Sequence, residues 1–185
     1  DAGHGGHDPG VIGPTGLREC DLNLDIAGRV ATKAVADGWR VLVTRAADRF
    51  VSLAKRAGIS NEAHADLFIS IHGNGAENRK AHGVELWTTV GQTKADEVIP
   101  YLERAWRDEF PDVEFRVDRT DGDADKEKDY AVLRLTKAPA ILYEIGFVSN
   151  PEEEALLKTA EYRARIARAI VAGINSWRES LQGAA

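Results

Sequence analysis

Two histidines and two glutamates stand at positions from which they could perform hydrolysis together. His4 lies in a glycine-rich stretch, Asp1 to Gly10, where the backbone can bend freely and approach a ligand closely. His72 and Glu144 each close an apolar segment, and Glu19 precedes a periodic one. Catalytic zinc commonly takes three protein ligands and one water. These four residues would supply two imidazoles and a carboxylate for a metal, with a second carboxylate to move protons, and we predict a metal-dependent hydrolase.

Each of these residues also has an ordinary structural explanation. The sequence has no His-Glu-x-x-His helix that would fix two ligands on one face, and a histidine at a strand end is more often structural than a ligand. At a helix start, Glu19 would interact favourably with the helix dipole. A carboxylate that ends an apolar strand is costly to bury without a partner, so a functional role is favoured for Glu144. Spacing alone leaves both explanations open for the other three.

The elements that must position these side chains alternate between helices and strands. Leu22, Ile26 and Val30 recur every four residues, as in an amphipathic helix. The predicted helices are Glu19 to Asp37, Ser52 to His64, Thr93 to Phe110 and, from Pro151 onward, a stretch that ends in a helix over Tyr162 to Leu181. The predicted strands are Trp39 to Thr44, Asp66 to His72, Gly83 to Thr88, Val113 to Val117 and Ala138 to Glu144.

This alternation predicts an α/β fold with three α/β/α layers and a central, mostly parallel twisted sheet. In open α/β sheets the ligand site forms at the carboxyl ends of the strands. His72 and Glu144 both end predicted strands, and His4 lies in a loop before the first predicted helix. The fold class therefore predicts that the four side chains converge at one edge of the sheet.

Bulk properties restrict the alternatives. The chain has 185 residues, 43% of them hydrophobic, which fits one globular domain with a sizeable core. Its net charge of −6 argues against a nucleic-acid partner, and no apolar run approaches the roughly 18 residues of a membrane span. A single cysteine, Cys20, excludes an internal disulfide and a multi-cysteine zinc site. Any metal must be held mainly by histidine and carboxylate.

Several blocks, in order along nearly the whole chain, resemble the zinc-dependent N-acetylmuramoyl-L-alanine amidases of the amidase-3 family. The blocks are Asp1 to Gly6, Leu17-Arg18-Glu19, Ser70 to Asn74 and Glu144 to Asn150, supported by Asp21 to Leu24, Leu53 to Asn61 and Gly83-Val84-Glu85. The resemblance implies that His4, Glu19 and His72 bind Zn²⁺ and that Glu144 is the catalytic acid and base. It also implies hydrolysis of the amide between N-acetylmuramic acid and L-alanine in peptidoglycan.

The same resemblance implies one catalytic domain over residues 1–185, although the family has a β-strand before the first block and this sequence starts at Asp1. We expect a monomer that acts outside the cell, at the cell wall or in the periplasm, or a phage enzyme delivered to the wall. Its partner would be the glycan-peptide substrate. Two alternatives remain at this point: a non-catalytic module that binds peptidoglycan, and a zinc carboxypeptidase or deacetylase acting on the same material.

Further residues are assigned to the surroundings of the site. Asn74 and His82 are predicted to contact substrate, and Cys20 is predicted to be a small packing residue. The segment from Asp118 to Asp129 is almost entirely polar and cannot bury enough surface to hold a helix over the metal. We therefore predict a shallow, open cleft that needs no protein activator, with this segment as a solvated loop along one wall.

Overall fold

The computed structural model describes residues 1–120, 122 and 124–183. The helices are α1 (Glu19–Ala36), α2 (Leu53–Glu62), α3 (Ile99–Glu109), α4 (Ala131–Leu135), α5 (Pro151–Leu157) and α6 (Ala160–Gly183). The strands are β1 (Phe68–Asn74), β2 (Glu85–Thr88), β3 (Lys126–Glu127) and β4 (Ala140–Phe147). No helix in the described part of the chain combines the length and the apolar character that crossing a bilayer requires.

The four strands form one open sheet in the order β1-β4-β2-β3. β1 and β4 are parallel, as are β2 and β3, whereas β2 and β4 are antiparallel. Helices flank this sheet, so the predicted α/β class with a central, mostly parallel sheet is confirmed. The register pairs His72 with Glu144 and Glu144 with Glu85, which brings three polar residues side by side on neighbouring strands.

The two faces of the sheet differ in size. Ile71, Leu86 and Tyr143 belong to the large core, which also contains residues of α1, α3 and α6. Because side chains alternate along a strand, the neighbouring positions face the other way. There Phe68 and Leu142 form a smaller cluster with residues of α4. His72, Glu85 and Glu144 continue these alternate positions, so the polar residues extend the smaller face toward the carboxyl ends of β1 and β4.

Local sequence signals account for the first two helices. Leu22 and Ile26 of α1 are buried, and Gly38, at φ +84°, allows the chain to turn away at the end of the helix. Ser52 caps α2, because its hydroxyl accepts a hydrogen bond from the Lys55 backbone amide at 3.3 Å. The observed ends of α1 and α2 agree with the predicted ends of these helices within two residues.

The predicted strand from Trp39 to Thr44 is wrong, because the structure assigns no strand there. This segment and residues of β1 line the same cavity of about 550 Å³, and no strand pairing is assigned to the segment within the described part of the chain. The segment is held by side chains instead. The Trp39 indole donates to Asn175 Oδ1 at 2.7 Å, and Leu42 remains 67% exposed. Apolar composition therefore did not produce a strand without a neighbouring edge to pair with.

Two predicted elements are shorter than the sequence pattern suggested. The helix predicted from Thr93 begins only at Ile99, with Pro100 in its first turn, where the missing amide of proline costs nothing. The strand predicted over Val113 to Val117 is reduced to a single parallel bridge between Phe115 and Val84. The Val84 backbone still exchanges two hydrogen bonds with this segment, at 2.8 and 2.9 Å.

The polar segment from Asp118 to Asp129 is not a purely solvated loop. It contains β3, and both Ala124 and Asp125 are buried. Asp125 accepts a hydrogen bond from the buried hydroxyl of Thr88, which compensates for burying its carboxylate. Two of its residues, 121 and 123, lie outside the described part of the chain. The helix that follows it, α4, packs against α2.

Candidate active site

The loop that carries His4 runs alongside β1. The Gly3 amide donates to the Ile71 carbonyl and the Ile71 amide donates to Asp1, both at 3.0 Å, so the loop enters like a strand parallel to β1. His4 then adopts a left-handed φ of +60°. At Gly3 a Cβ atom would lie 2.2 Å from the His72 ring. Glycine at this position therefore lets the two histidines approach each other.

Two buried guanidiniums hold the backbone of this loop. Arg45 donates to the carbonyls of Ala2 and Gly3, both at 2.9 Å. Arg56 donates to the His4 carbonyl and to the Asp1 carboxylate, both at 2.7 Å. Both arginines are almost completely buried. Their charge-assisted hydrogen bonds fix the position from which the His4 ring projects.

The side chains of His4, Glu19 and His72 meet at one point. Glu19 Oε1 lies 3.1 Å from His4 Nε2 and 3.0 Å from His72 Nδ1. The two imidazole rings are 5.0 Å apart between centroids. One potential ligand atom from each residue lies within 4.8 Å of the others. The His4 and His72 side chains keep 26% and 17% of their surface exposed, so the cluster is open on one side.

Glu19 is buried but well supplied with donors. Its Oε2 accepts from the Val11 amide at 2.9 Å, and its Oε1 accepts from the Gly73 amide at 3.2 Å. Burial raises the pKa of Glu19, but hydrogen bonds from His4 and His72 outweigh it and hold the pKa well below its usual range. Glu19 is therefore a stable carboxylate, as a metal ligand must be.

Asp8 contacts the opposite side of the His4 ring. Its Oδ2 lies 2.8 Å from His4 Nδ1, which leaves Nε2 directed toward Glu19. Burial lowers the pKa of His4, but hydrogen bonds with Glu19 and Asp8 raise it to about 9. A carboxylate on the second nitrogen of a ligand histidine fixes its orientation and its tautomer. Asp8 is thus suited to orient His4.

Glu144 lies beside this cluster in opposite surroundings. It follows the apolar run of β4, directly across from His72 in the register. Its Oε2 is buried without a hydrogen-bond partner among the described residues. Burial, with the nearby negative charges of Glu19 and Glu85, raises its pKa to about 7, although His72 acts in the other direction. A carboxyl group with this pKa can both accept and donate a proton near neutral pH.

Glu85 fills the next position along the same edge. Its carboxylate accepts from the Asn74 amide at 2.9 Å and from Arg116 and Lys126 at 2.8 Å each. Asn74, predicted to contact substrate, therefore donates to a protein carboxylate one strand away from Glu144. His82, the other predicted contact, is 60% exposed, with its Nε2 3.4 Å from Glu114.

Cys20, Asp21 and Asp48 also bring possible ligand atoms close together. The Arg18 guanidinium, however, lies 3.5 Å from both carboxylates, and the cysteine is fully buried. A cation that neutralises both acids leaves no role for a metal there. This agrees with the prediction that Cys20 packs inside the fold.

Sequence reasoning identified the four central residues but missed Asp8 and Arg56. Asp8 follows His4 by four residues in the same glycine-rich loop, and that spacing was a usable signal. Arg56 gave no signal, because an arginine in an amphipathic helix is usually solvated. Only the approach of α2 to the loop shows that it is buried against the backbone there.

Comparison with known proteins gives consistent matches. Residues 1–176 match the family described as N-acetylmuramoyl-L-alanine amidase (Amidase_3). The N-acetylmuramoyl-L-alanine amidase LytC of Bacillus subtilis (strain 168) is 34% identical over 179 residues, covering 96% of this chain and 34% of LytC. A putative N-acetylmuramoyl-L-alanine amidase of Buchnera aphidicola is 30% identical over 197 residues, covering 92% of this chain and 90% of that protein.

Solved structures give the same result. The N-acetylmuramoyl-L-alanine amidase from Clostridium difficile 630 superposes with a TM-score of 0.88 at 34% identity, covering 97% of this chain and 95% of that one. AmiC2 of Nostoc punctiforme, also an N-acetylmuramoyl-L-alanine amidase, has a TM-score of 0.86 at 29% identity, covering 97% and 94%. The chain thus spans about a third of LytC but nearly all of these two structures.

Proposed function

The chain belongs to the amidase-3 family of N-acetylmuramoyl-L-alanine amidases, and on this premise we propose that it hydrolyses the amide between N-acetylmuramic acid and L-alanine in peptidoglycan. The observation that carries the proposal is the pairing of two carboxyl groups whose surroundings shift their pKa in opposite directions. Glu19 contacts two histidines within 3.1 Å, whereas the pKa of Glu144 is raised to about 7. Metal-assisted amide hydrolysis needs a set of metal ligands and, beside it, a group that accepts and donates a proton.

His4, Glu19 and His72 would hold one Zn²⁺. Two imidazoles and one carboxylate, with a solvent-exposed side, match the donor set and open position of catalytic zinc. The donor atoms would be His4 Nε2, His72 Nδ1 and a Glu19 carboxylate oxygen, because His4 Nδ1 is engaged by Asp8. When bound, zinc supplies a Lewis acid that polarises the carbonyl and acidifies water.

Glu144 would move the protons. Its carboxylate accepts a proton from the water that attacks the lactyl carbonyl carbon. It then donates this proton to the alanine nitrogen as the carbon–nitrogen bond breaks. The peptide departs with a free amine, and the lactyl group remains on the sugar as a carboxylic acid. The apolar run of β4 and the unpartnered Oε2 favour this exchange, because neither protonation state is locked by a fixed donor.

We further propose one monomeric catalytic domain that acts on peptidoglycan in the cell wall or periplasm, or after delivery by a phage. The exposure of the His4 and His72 side chains supports a cleft that substrate enters directly. The helix nearest in sequence to the polar segment, α4, packs against α2, so it supplies no plug. Activity should therefore need no protein activator.

The test uses purified protein, zinc and soluble muramoyl peptides, with product masses read by mass spectrometry. An amidase releases an intact peptide that begins with L-alanine together with a glycan that carries a free lactyl carboxylate. A chelator should abolish this release.

The alternatives give different products. A carboxypeptidase shortens the peptide from its other end, and a deacetylase changes the glycan mass by one acetyl group. A binding module binds the fragments and yields no product, which would contradict the proposed function.

A further inference from the structure

A group of cations and aromatic rings lies on β2, on β3 and just after β3, on the β2 side of the strand that carries Glu144. We call it the cationic wall and define it as Trp87, Lys126, Lys128 and Tyr130. The Trp87 and Tyr130 rings meet edge to face, 5.7 Å apart between centroids. The Lys128 ammonium stands 4.9 Å from the Tyr130 centroid and 6.0 Å from that of Trp87. The Lys126 ammonium lies 5.4 Å from the Trp87 centroid.

The two lysines have different roles in the protein. Lys126 donates to Glu85 at 2.8 Å, and Arg116 donates to the same oxygen, so this buried carboxylate is already doubly neutralised. Lys128 is exposed, and the ion pairs of the described residues leave it without a carboxylate. Of its two sequence neighbours, Asp129 pairs with Arg134 and Glu127 accepts from the Gly91 amide. Within the described part of the chain, the Lys128 ammonium is therefore a positive charge that forms no ion pair, in a protein of net charge −6.

The wall is close to the reacting position. Glu85 pairs with Glu144 across β2 and β4, and Trp87 follows on the same side of β2. Burial, with the charges of Glu144 and Glu85, raises the pKa of the Tyr130 phenol, whereas the Lys128 ammonium lowers it. The phenol therefore lies within the electrostatic range of both carboxyl groups. Tyr130 links the wall to the site.

The chemistry of the proposed substrate determines which part of it can carry an anion to this wall. The muramic lactyl carboxyl is consumed in the scissile amide, and the neighbouring sugar groups are uncharged. Free carboxylates belong to the peptide. The Lys128 ammonium, held against Trp87 and Tyr130, therefore complements the peptide side of the amide.

We propose that the cationic wall is a subsite for a carboxylate on the second residue of the leaving peptide, with Lys128 as its ion-pair partner. The inference rests on the proposed function. The spacing agrees with it. Trp87 lies on β2, the strand next to that of Glu144, about 4.8 Å away. Lys128 follows β3, two strands or about 10 Å from β4, and its ammonium reaches back to 6.0 Å from the Trp87 ring centroid. Two extended peptide residues span about 7 Å. A peptide whose first nitrogen is at Glu144 thus reaches the wall with its second residue. Trp87 and Tyr130 pack against the peptide backbone and shield the ion pair from water.

The experiment compares two synthetic N-acetylmuramoyl peptides that differ in one group. The second peptide residue carries a free α-carboxylate in one substrate and a primary carboxamide in the other. The zinc-loaded enzyme should cleave the carboxylate substrate with about tenfold higher kcat/KM, equivalent to about 1.4 kcal/mol for a charge-assisted contact. Lys128→Gln should reduce this preference to within about twofold, and Lys128→Arg should largely retain it.

Lys137→Gln is the matched control, because Lys137 is an exposed lysine that lies outside the wall. It should leave the preference and both rates at wild-type values. Equal cleavage of both substrates by the wild-type enzyme, or a preference that survives Lys128→Gln, would overturn the subsite while leaving the amidase intact. If the wild-type enzyme cleaves neither substrate, the proposed function fails and the subsite fails with it.

Discussion

Glu19 and Glu144 are identical side chains in two regions of one site, but their surroundings give their carboxyl groups different pKa values. Glu19 begins a helix and accepts hydrogen bonds from two histidines and two backbone amides. Glu144 lies within β4, after an apolar run, and has a buried oxygen with no partner among the described residues. Donors lower the pKa of the first, and burial raises the pKa of the second. Under the proposed function, local polarity would assign one carboxyl group to the metal and the other to proton transfer.

The largest expected effect comes from exchanging each glutamate for its amide. Glu144→Gln should reduce turnover of muramoyl peptides by about 10²–10⁴-fold, the usual value of a positioned acid and base, while zinc content stays at one ion per chain. Glu19→Gln should lose activity together with the zinc. Turnover and metal content are measured on the same preparations. If Glu144→Gln also lost its metal, the proposed division between the two carboxyl groups would be wrong.

A smaller effect, on zinc affinity, is expected from changing Asp8, which contacts the His4 ring. Asp8→Ala should weaken zinc binding by about 10–100-fold, because the carboxylate that orients the ring is removed. Asp8→Asn should recover part of this loss, since its amide oxygen can still accept from Nδ1. Affinity is read by competition with a chromogenic chelator.

Asp48→Asn serves as the control for Asp8. Asp48 accepts from the Gly6 amide in the same loop at 2.7 Å but contacts neither metal-site histidine. Its substitution should leave zinc affinity within about threefold of wild type, because the ligand itself is untouched. Equal losses for the two variants would indicate that the loop as a whole, and not the orientation of His4, controls the metal.

The smallest effect concerns the stability of the metal-free protein. The pKa of Glu144 is about 7 in the folded protein and 4.5 for an unperturbed glutamate, so the native protein keeps this proton at a pH where the unfolded chain has lost it. Its contribution to stability therefore falls as the pH rises from about 4.5 to 7. Glu144→Gln should be more stable than wild type at pH 8, by about 1–3 kcal/mol, but not at pH 4. Urea unfolding with a chelator measures this, and a pH-independent difference would contradict it.

The sequence predicted well what depends on periodicity and on apolar runs, although β1 continues to Asn74 and β4 to Phe147, past the predicted strand ends at His72 and Glu144. The four-residue spacing of Leu22, Ile26 and Val30 identified α1, and the apolar runs before His72 and Glu144 identified β1 and β4. The rule that strands end at the ligand site then brought both residues to one edge. The metal and catalytic roles of His4, Glu19, His72 and Glu144 stay predictions, which the variants above test.

Other features depend on contacts between residues that are far apart in the sequence. Trp39 to Thr44 has the composition of a strand, but no strand pairing is assigned to it within the described part of the chain. The polar segment forms β3 because the Lys128 amide donates to the Thr88 carbonyl at 3.1 Å and Asp125 accepts from the Thr88 hydroxyl. These contacts join residues about forty positions apart, which no local pattern reports. Composition therefore predicted a strand at Trp39 to Thr44 that the structure does not contain, and it gave no indication of β3.

Arg45 and Arg56 have a consequence for how the enzyme would lose and regain its metal. They donate hydrogen bonds to the carbonyls of Ala2, Gly3 and His4, which ties the loop to the rest of the fold. The shape of the loop is therefore set by the rest of the fold, unlike small zinc domains that unfold when the metal leaves. Under the proposed function, removing zinc with a chelator should therefore abolish activity while the protein stays folded, and adding zinc back should restore it.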